Sequence, residues 1–156
     1  MSYNYFVLAK ILHVIAVVIW IGGVAFVTTV LIPALRKTQS PEERLKIFEL
    51  LEGKFSLQAK FTTLLTGATG FYMLHAMNAW SSSMQWWVYP MIFVWALFTV
   101  VLFVLEPLFL HKQFHKRATT DSEKTFFVLQ IMHIVLLTIS LLVIFCVVAG
   151  VRGLLF

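Results

Sequence analysis

The chain has 156 residues, of which 60% are hydrophobic and 12% charged, and its formal net charge is +5. This composition excludes an ordinary soluble domain, in which about a quarter of the residues are charged. The basic residues are confined to particular loops and no nucleic-acid-binding motif is present, so the positive charge indicates membrane topology rather than nucleic-acid binding. Cys146 is the single cysteine, which excludes an internal disulfide and a cysteine-based metal cluster.

Four apolar segments are long enough to cross a membrane, because a hydrocarbon core of about 30 Å needs about 20 helical residues. We predict spans at about 5–33, 57–79, 86–110 and 125–150. Almost no residues are left for a soluble domain, so the predicted fold is all-α, with residues 1–156 forming one integral membrane four-helix bundle. The first segment has neither a basic leader nor a small-residue cleavage site and is expected to be retained.

A short amphipathic helix is predicted between the first two spans, over about residues 41–53. Ser40 and Pro41 are suited to its N-cap and first helical position, and Glu43 completes a capping box. Apolar residues then recur at helical spacing against a charged face. These residues are Leu45, Phe48, Leu51 and Phe55. We therefore expect this helix to lie on the cytoplasmic membrane surface.

The loops differ in charge. The loop after the first span and the loop before the last are rich in lysine and arginine, whereas the loop at 78–85 has neither. Short basic loops stay in the cytoplasm, so both termini and the 78–85 loop are expected on the periplasmic side of a bacterial inner membrane. An aromatic belt would then form at that interface, from Trp80, Trp86, Trp87 and Tyr89.

Ionisable side chains inside the predicted spans are candidates for function or for pairing, because an isolated charge there is costly. Glu106 is the only acid in a predicted span. It is expected to form an ion pair near the inner boundary with Arg36, Lys37 or Lys60. Proton transfer is the alternative role for this carboxylate.

Three histidines lie within the predicted spans. With a rise of about 1.5 Å per residue, His13 lies roughly 12 Å and His75 roughly 6 Å below the outer surface, whereas His133 lies roughly 25 Å down. Two imidazoles on facing helices can hold a haem iron from both sides, and depth favours pairing His13 with His75. His133 is the alternative partner or the ligand of a second site. Lys10 and Arg152, near the outer surface, would bind the haem propionates.

Other interpretations of the histidines are open at this point. Each can hydrogen-bond a serine, a threonine or a backbone carbonyl across helices without any cofactor. Copper is an alternative to haem, because thioethers favour Cu(I) and several methionines fall towards the outer side. These are Met73, Met77, Met84 and Met91. His111 and His115 have a spacing that suits zinc or copper, but solvated interfacial side chains are expected beside so much positive charge.

The opening pattern Lys10-x-x-His13, followed by Trp20-x-Gly22-Gly23 and an apolar run to Pro33, resembles the first helix of a group of bacterial four-helix membrane proteins. The group includes the membrane domain of the copper-resistance D family and the four-helix membrane protoporphyrinogen oxidase. The likeness extends weakly through Lys60 and Gly67-Ala-Thr-Gly70 to a tryptophan-rich start of the third span. It implies a four-helix bundle whose first-helix histidine, here His13, is a haem or copper ligand.

One departure concerns the start of the third span. The oxidase branch typically carries a lysine there, whereas this chain has Val88-Tyr89-Pro90-Met91, which argues against protoporphyrinogen oxidase activity. We expect a protein that binds haem b and acts in electron transfer or as a membrane oxidoreductase near the periplasmic face, with an unknown redox partner. Copper binding or transport and a cofactor-free structural or assembly role are the alternatives. The lipid-facing surface, rich in Phe and Leu, is also compatible with a homodimer.

Overall fold

The computed structural model describes residues 3–79 and 85–154, and of 109–116 it describes the backbone alone. Within these ranges the chain is helical, with short turns and no strand. The helices are α1 (Tyr3–Phe26), α2 (Ile32–Thr38), α3 (Pro41–Ala76), α4 (Val88–Val100), α5 (His115–Thr120) and α6 (Ser122–Val151). Two π-helical segments join α1 to α2 and α4 to α5, over Val27–Leu31 and Val101–Phe114.

Three of these helical stretches are long and apolar enough to cross a membrane, namely Tyr3–Thr38, Val88–Leu108 and Ser122–Val151. They correspond to the first, third and fourth predicted spans. Large apolar side chains are exposed along them, and an apolar surface of this extent suits contact with lipid rather than water. The length and the apolar surface of these helices therefore indicate a membrane protein.

α3 begins at the predicted capping box. Ser40 Oγ accepts a hydrogen bond from the Glu43 amide at 3.4 Å and donates to Glu43 Oε2 at 2.9 Å. Pro41 occupies the first helical position, where its missing N–H leaves no intrahelical bond unmade. The predicted N-terminus of this helix is confirmed.

The rest of α3 differs from the prediction. The sequence predicts a surface helix over 41–53 and a separate span over 57–79, whereas the structure has one continuous helix of 36 residues. Gly53 is the last residue of the first predicted segment, and a glycine costs a helix only about 1 kcal/mol. The charged residues of its first half and the threonines of its second half lower the hydropathy of α3, which is not one of the three candidate spans.

α1 and α3 pack side by side in opposite directions. Gly70, near the end of α3, lies against the ring of His13, and Gly23, near the end of α1, lies against Phe55 near the middle of α3. The two glycines let the helices approach closely, as small residues do in helix pairs within membranes. The resulting seam between α1 and α3 positions most of the polar groups inside the protein.

The second π-helical segment contains Pro107. Proline has no N–H to donate, and its ring clashes with the carbonyl four residues earlier in a regular α-helix. The structure accommodates the proline in a segment of wider turn, a form that is often found at functional sites. Glu106, directly before the proline, is buried at 6% exposure.

An aromatic pair lies at the centre of the core. Trp20 of α1 meets Phe98 of α4 edge to face, with ring centroids 4.8 Å apart, and such a pair adds about 0.5–1.5 kcal/mol beyond its buried area. Apolar residues from α1, α4 and α6 surround it. They are Ile21, Val24, Val94, Leu136 and Leu137. The core therefore ties the three candidate spans together.

We predict that Gly67→Ala destabilises the protein by about 1–3 kcal/mol, the range for overpacking a tight contact. A Cβ at Gly67 would lie 2.5 Å from Nε1 of Trp95, which donates a hydrogen bond to the Thr63 carbonyl at 3.0 Å. Thermal unfolding in detergent measures the loss. Gly53→Ala on the same helix is the control, because nothing lies within 4 Å of its Cβ, and equal melting temperatures for the two variants would contradict the close contact.

Candidate functional site

At the end of the bundle where α2, α3 and α6 meet, two arginines share one carboxylate. Arg36 Nε donates to Glu123 Oε1 at 3.0 Å, and Arg44 Nη1 donates to Glu123 Oε2 at 2.9 Å. Arg44 is buried, and its guanidinium also donates to the Arg36 carbonyl at 3.0 Å. Glu123 is 61% exposed, so each ion pair contributes little by itself. The cluster serves to hold three chain segments at this end.

Glu106 is partnered within the protein. Its Oε1 accepts a hydrogen bond from Lys60 Nζ at 2.8 Å and another from the Ser56 hydroxyl. The predicted ion pair is therefore confirmed, with Lys60 as the partner. Arg36, an alternative partner in the prediction, pairs with Glu123 instead.

His13 is half-buried in the seam between α1 and α3. Its Nδ1 lies 3.0 Å from the Thr66 carbonyl oxygen and 3.1 Å from Thr69 Oγ1. A carbonyl oxygen only accepts, so Nδ1 carries the proton and Nε2 carries the lone pair. A Cβ at Gly70 would lie 3.2 Å from Cε1 of His13. The ring thus makes the cross-helix bond expected of a structural histidine, while its second nitrogen can still bind a ligand.

His75 lies on a different side of α3. It follows Thr66 by about two and a half turns of an α-helix, so the two side chains leave opposite sides of the helix. His75 is also exposed, whereas Thr66 is buried in the seam. The structure does not bring His75 and His13 together on one side of α3, although the sequence predicts that they share a depth.

His133 has different neighbours from His13. Its Nδ1 lies 2.9 Å from the Leu129 carbonyl of its own helix, so its Nε2 also carries the lone pair. It lines a cavity of about 80 Å³ together with Trp20, which follows His13 by about two turns of α1. The sequence expects His13 and His133 at different depths, and their neighbours in the structure are accordingly different.

The walls of this cavity are mostly apolar and aromatic, with a few polar groups. Glu106 and Ser56 contribute the hydrogen-bonded carboxylate and hydroxyl, and Glu49 and Glu52 of α3 line it as well. Trp20 is 3% exposed, and its Nε1–H has no acceptor among the described residues. Two further buried groups higher on α3 have no partner in the described part of the chain. They are the hydroxyls of Thr63 and Thr66.

The residues at His133 do not fit a haem. Glu49, Glu52 and Glu106 line the cavity, and their carboxylates would oppose the two haem propionates. The cavity volume of about 80 Å³ also lies well below the several hundred Å³ that ligand pockets usually enclose. We therefore assign His133 no role in haem binding.

His13 offers one nitrogen that could bind iron, and no carboxylate is among its hydrogen-bond partners in the described part of the chain. Nε2 is the donor atom that iron requires. Lys10 is exposed about one turn before His13 on α1, and Arg152 is exposed at the C-cap of α6. Trp87 at the start of α4 packs against Gly150 at the end of α6, so Arg152 lies at the end of the bundle where α3 ends and α4 begins.

The metal alternatives rest on fewer observations. The described residues contain no group of three or more His, Cys, Asp or Glu side chains that could hold a metal ion. The side chains of His111 and His115, and all of Met84, lie outside the described residues. No observation among the described side chains therefore favours copper over haem.

Comparison with known proteins finds no matching family model, no similar curated protein and no similar solved structure. The function is therefore inferred from the site alone.

Sequence reasoning missed the partners of His13 and the unpaired indole of Trp20. A signal for the partners is present, because threonine recurs on α3 at intervals of three and four residues: Thr62, Thr63, Thr66 and Thr69. A polar stripe of this kind in an otherwise apolar segment predicts an inward face. The indole gives no such signal, since only the packed structure decides which buried donors lack a partner.

We predict that Lys60→Met destabilises the protein by about 1–3 kcal/mol, because it leaves the buried Glu106 carboxylate without its charged partner. The double variant Lys60→Met with Glu106→Gln should recover at least about 1 kcal/mol of that loss. Chemical unfolding in detergent measures the double-mutant cycle. Lys54→Met, at an exposed position of the same helix, is the control and should change stability by less than about 0.5 kcal/mol. Additive losses would contradict the Lys60 and Glu106 pairing.

Proposed function

We propose that this chain is a membrane haem protein in which His13 binds the iron of haem b through Nε2. The observation that carries the proposal is the hydrogen bond from His13 Nδ1–H to the Thr66 carbonyl at 3.0 Å. Metal-binding histidines typically donate their other ring N–H to a carbonyl or carboxylate, which fixes the tautomer and makes the binding nitrogen more basic. Thr66 would orient the ring, and Gly70 leaves room for it.

One chain would supply the iron with a single histidine ligand, His13. His75 leaves α3 on the other side, so a bis-histidine site between His13 and His75 has no support within one chain. A haem held by His13 alone would supply one-electron chemistry and could also bind a substrate or a second copy of the chain. Redox chemistry therefore has more support than electron transfer alone. Lys10 and Arg152 would bind the propionates.

We further propose that α3 crosses the membrane as a fourth helix, beside α1. Two observations support this proposal. α3 packs lengthwise against α1, and the serine and threonines of its second half, Ser56, Thr62, Thr63, Thr66 and Thr69, are buried, so these side chains do not face lipid. The basic loops then lie on the cytoplasmic side of a bacterial inner membrane and both termini on the periplasmic side, which follows from the distribution of lysine and arginine.

The absorption spectrum of the full-length protein, purified in mild detergent from cells supplied with a haem precursor, tests the proposal. We expect a Soret band that His13→Ala weakens about tenfold or more, because the change removes the iron ligand itself. His75→Ala is the matched control and should retain the wild-type band. Gel filtration checks that both variants are folded.

Two results would contradict haem binding at His13. One is a colourless wild-type protein of correct size and helicity, which would favour the cofactor-free structural role. The other is a Soret band that survives His13→Ala and disappears with His75→Ala. Copper found by metal analysis in a colourless preparation would favour copper handling instead.

A further inference from the structure

A groove lies between α3 and the part of the chain where α1 continues into the first π-helical segment. Its volume is about 320 Å³, within the roughly 300–1,000 Å³ that ligand pockets usually enclose. Gly23 and Phe55, which lie against each other where α1 and α3 pack closely, both line it. The groove therefore borders the seam between α1 and α3 and has room for a ligand.

One wall of the groove is apolar. It is formed by Phe26 at the end of α1 and by Val27 and Leu31 of the π-helical segment. Phe26 is 55% exposed, and Leu51 on the α3 side is 37% exposed. Tyr3–Thr38 is a candidate membrane span, so its exposed apolar side chains contact hydrocarbon rather than water. A ligand that covers this wall must itself be apolar along part of its length.

The opposite wall carries hydrogen-bond donors. Lys54 and Gln58 of α3 both line the groove and are exposed, and side chains four residues apart are neighbours on the surface of a helix. A lysine ammonium offers three N–H donors and a glutamine amide offers two. One ligand group that accepts several hydrogen bonds can therefore bind both side chains.

The charge of the groove is positive. Lys54 has no ion-pair partner among the described residues. Glu49 and Glu52, the acids nearest to Lys54 on α3, line the cavity beside His133 instead. Within the described ranges, a ligand in the groove thus meets a lysine and no carboxylate, which favours an anion.

We propose that the groove binds one anionic phospholipid. Its phosphate accepts hydrogen bonds from Lys54 and Gln58, and its acyl chain packs against the apolar wall. No covalent bond is made or broken. A free phosphate ion would leave the apolar wall uncovered, and a lipid without net charge would gain less from Lys54. The site is separate from His13 and needs no haem.

The position of Lys54 along the chain agrees with such a lipid. Lys54 falls in the basic stretch between the first two predicted spans, which the distribution of lysine and arginine assigns to the cytoplasmic side. Anionic lipids give the cytoplasmic leaflet its negative surface potential, and basic pockets between transmembrane helices on that side bind their headgroups. The choice of leaflet rests on the proposed orientation of the chain, whereas binding in the groove does not.

Native mass spectrometry of the full-length protein, delipidated and kept in a detergent without net charge, tests the proposal. The protein is titrated with phosphatidylglycerol, which is anionic, or with phosphatidylcholine, which has no net charge. We expect the first phosphatidylglycerol molecule to bind at least about fivefold more tightly, the factor that one lysine contributes beside an anionic lipid. Glycerol phosphate in excess should not displace the lipid, because it has no acyl chain.

Lys54→Gln tests the charged end of the groove. The variant should bind the first phosphatidylglycerol about fivefold more weakly, because the ammonium group is lost. Lys46→Gln is the matched control, since Lys46 is an exposed lysine of the same helix that does not line the groove. It should leave the affinity unchanged.

Leu51→Trp tests the apolar part of the groove. The larger side chain should occupy the space of the acyl chain and weaken binding about fivefold or more. Leu50→Trp is the matched control, because Leu50 is 64% exposed and does not line the groove. If Leu51→Trp does not fold, Leu51→Phe provides the same comparison.

Four results would overturn the proposal. Equal affinities for the two lipids would show that charge plays no part. Equal losses in the two lysine variants would mean diffuse attraction to a basic surface rather than a site. Displacement by glycerol phosphate, or an unchanged affinity in the folded Leu51 variant, would mean that the groove holds no acyl chain. None of these measurements needs haem, so each outcome leaves the proposal for His13 unaffected.

Discussion

The hydrogen bond from His13 to the Thr66 carbonyl is the contact on which the arrangement of the first half of the chain depends. Inside a membrane neither lipid nor water can partner an imidazole, so the ring must find its partner on another helix. That partner is a main-chain oxygen on α3, reached because Gly70 has no side chain to hold the helices apart. The contact fixes which residues of α1 lie beside which residues of α3.

The surroundings of His13 and the surroundings of His133 differ in charge. Near His13 the ionisable neighbour on the same helix is Lys10, an exposed cation, whereas near His133 the cavity is lined by Glu49, Glu52 and Glu106. The surroundings of His13 are therefore the more compatible with an anionic cofactor. Trp20 and Phe98, which meet edge to face, both line this cavity. One helical bundle thus offers two chemically different environments at different depths.

Much of the local structure could be predicted because it depends on neighbours in sequence. The capping box at Ser40 and Glu43 is made by residues three apart, and the pairing of Glu106 follows from the cost of an isolated charge in a span. The continuity of α3 could not be predicted in the same way. Gly53 and Lys54 look like a break in an apolar pattern, but a helix tolerates one glycine when packing along its whole length stabilises it.

The sequence by itself determined that this is an all-helical chain with membrane-spanning segments, and that its ionisable residues within those segments would need partners. Only the tertiary structure decided which partners they have. Depth along a helix follows from counting residues at a fixed rise, and so His13 and His75 could be given similar depths. The direction in which each side chain leaves its helix matters only once the helices are packed. That packing turned His13 towards Thr66, left His75 exposed and placed His133 on the wall of a cavity that Glu106 also lines.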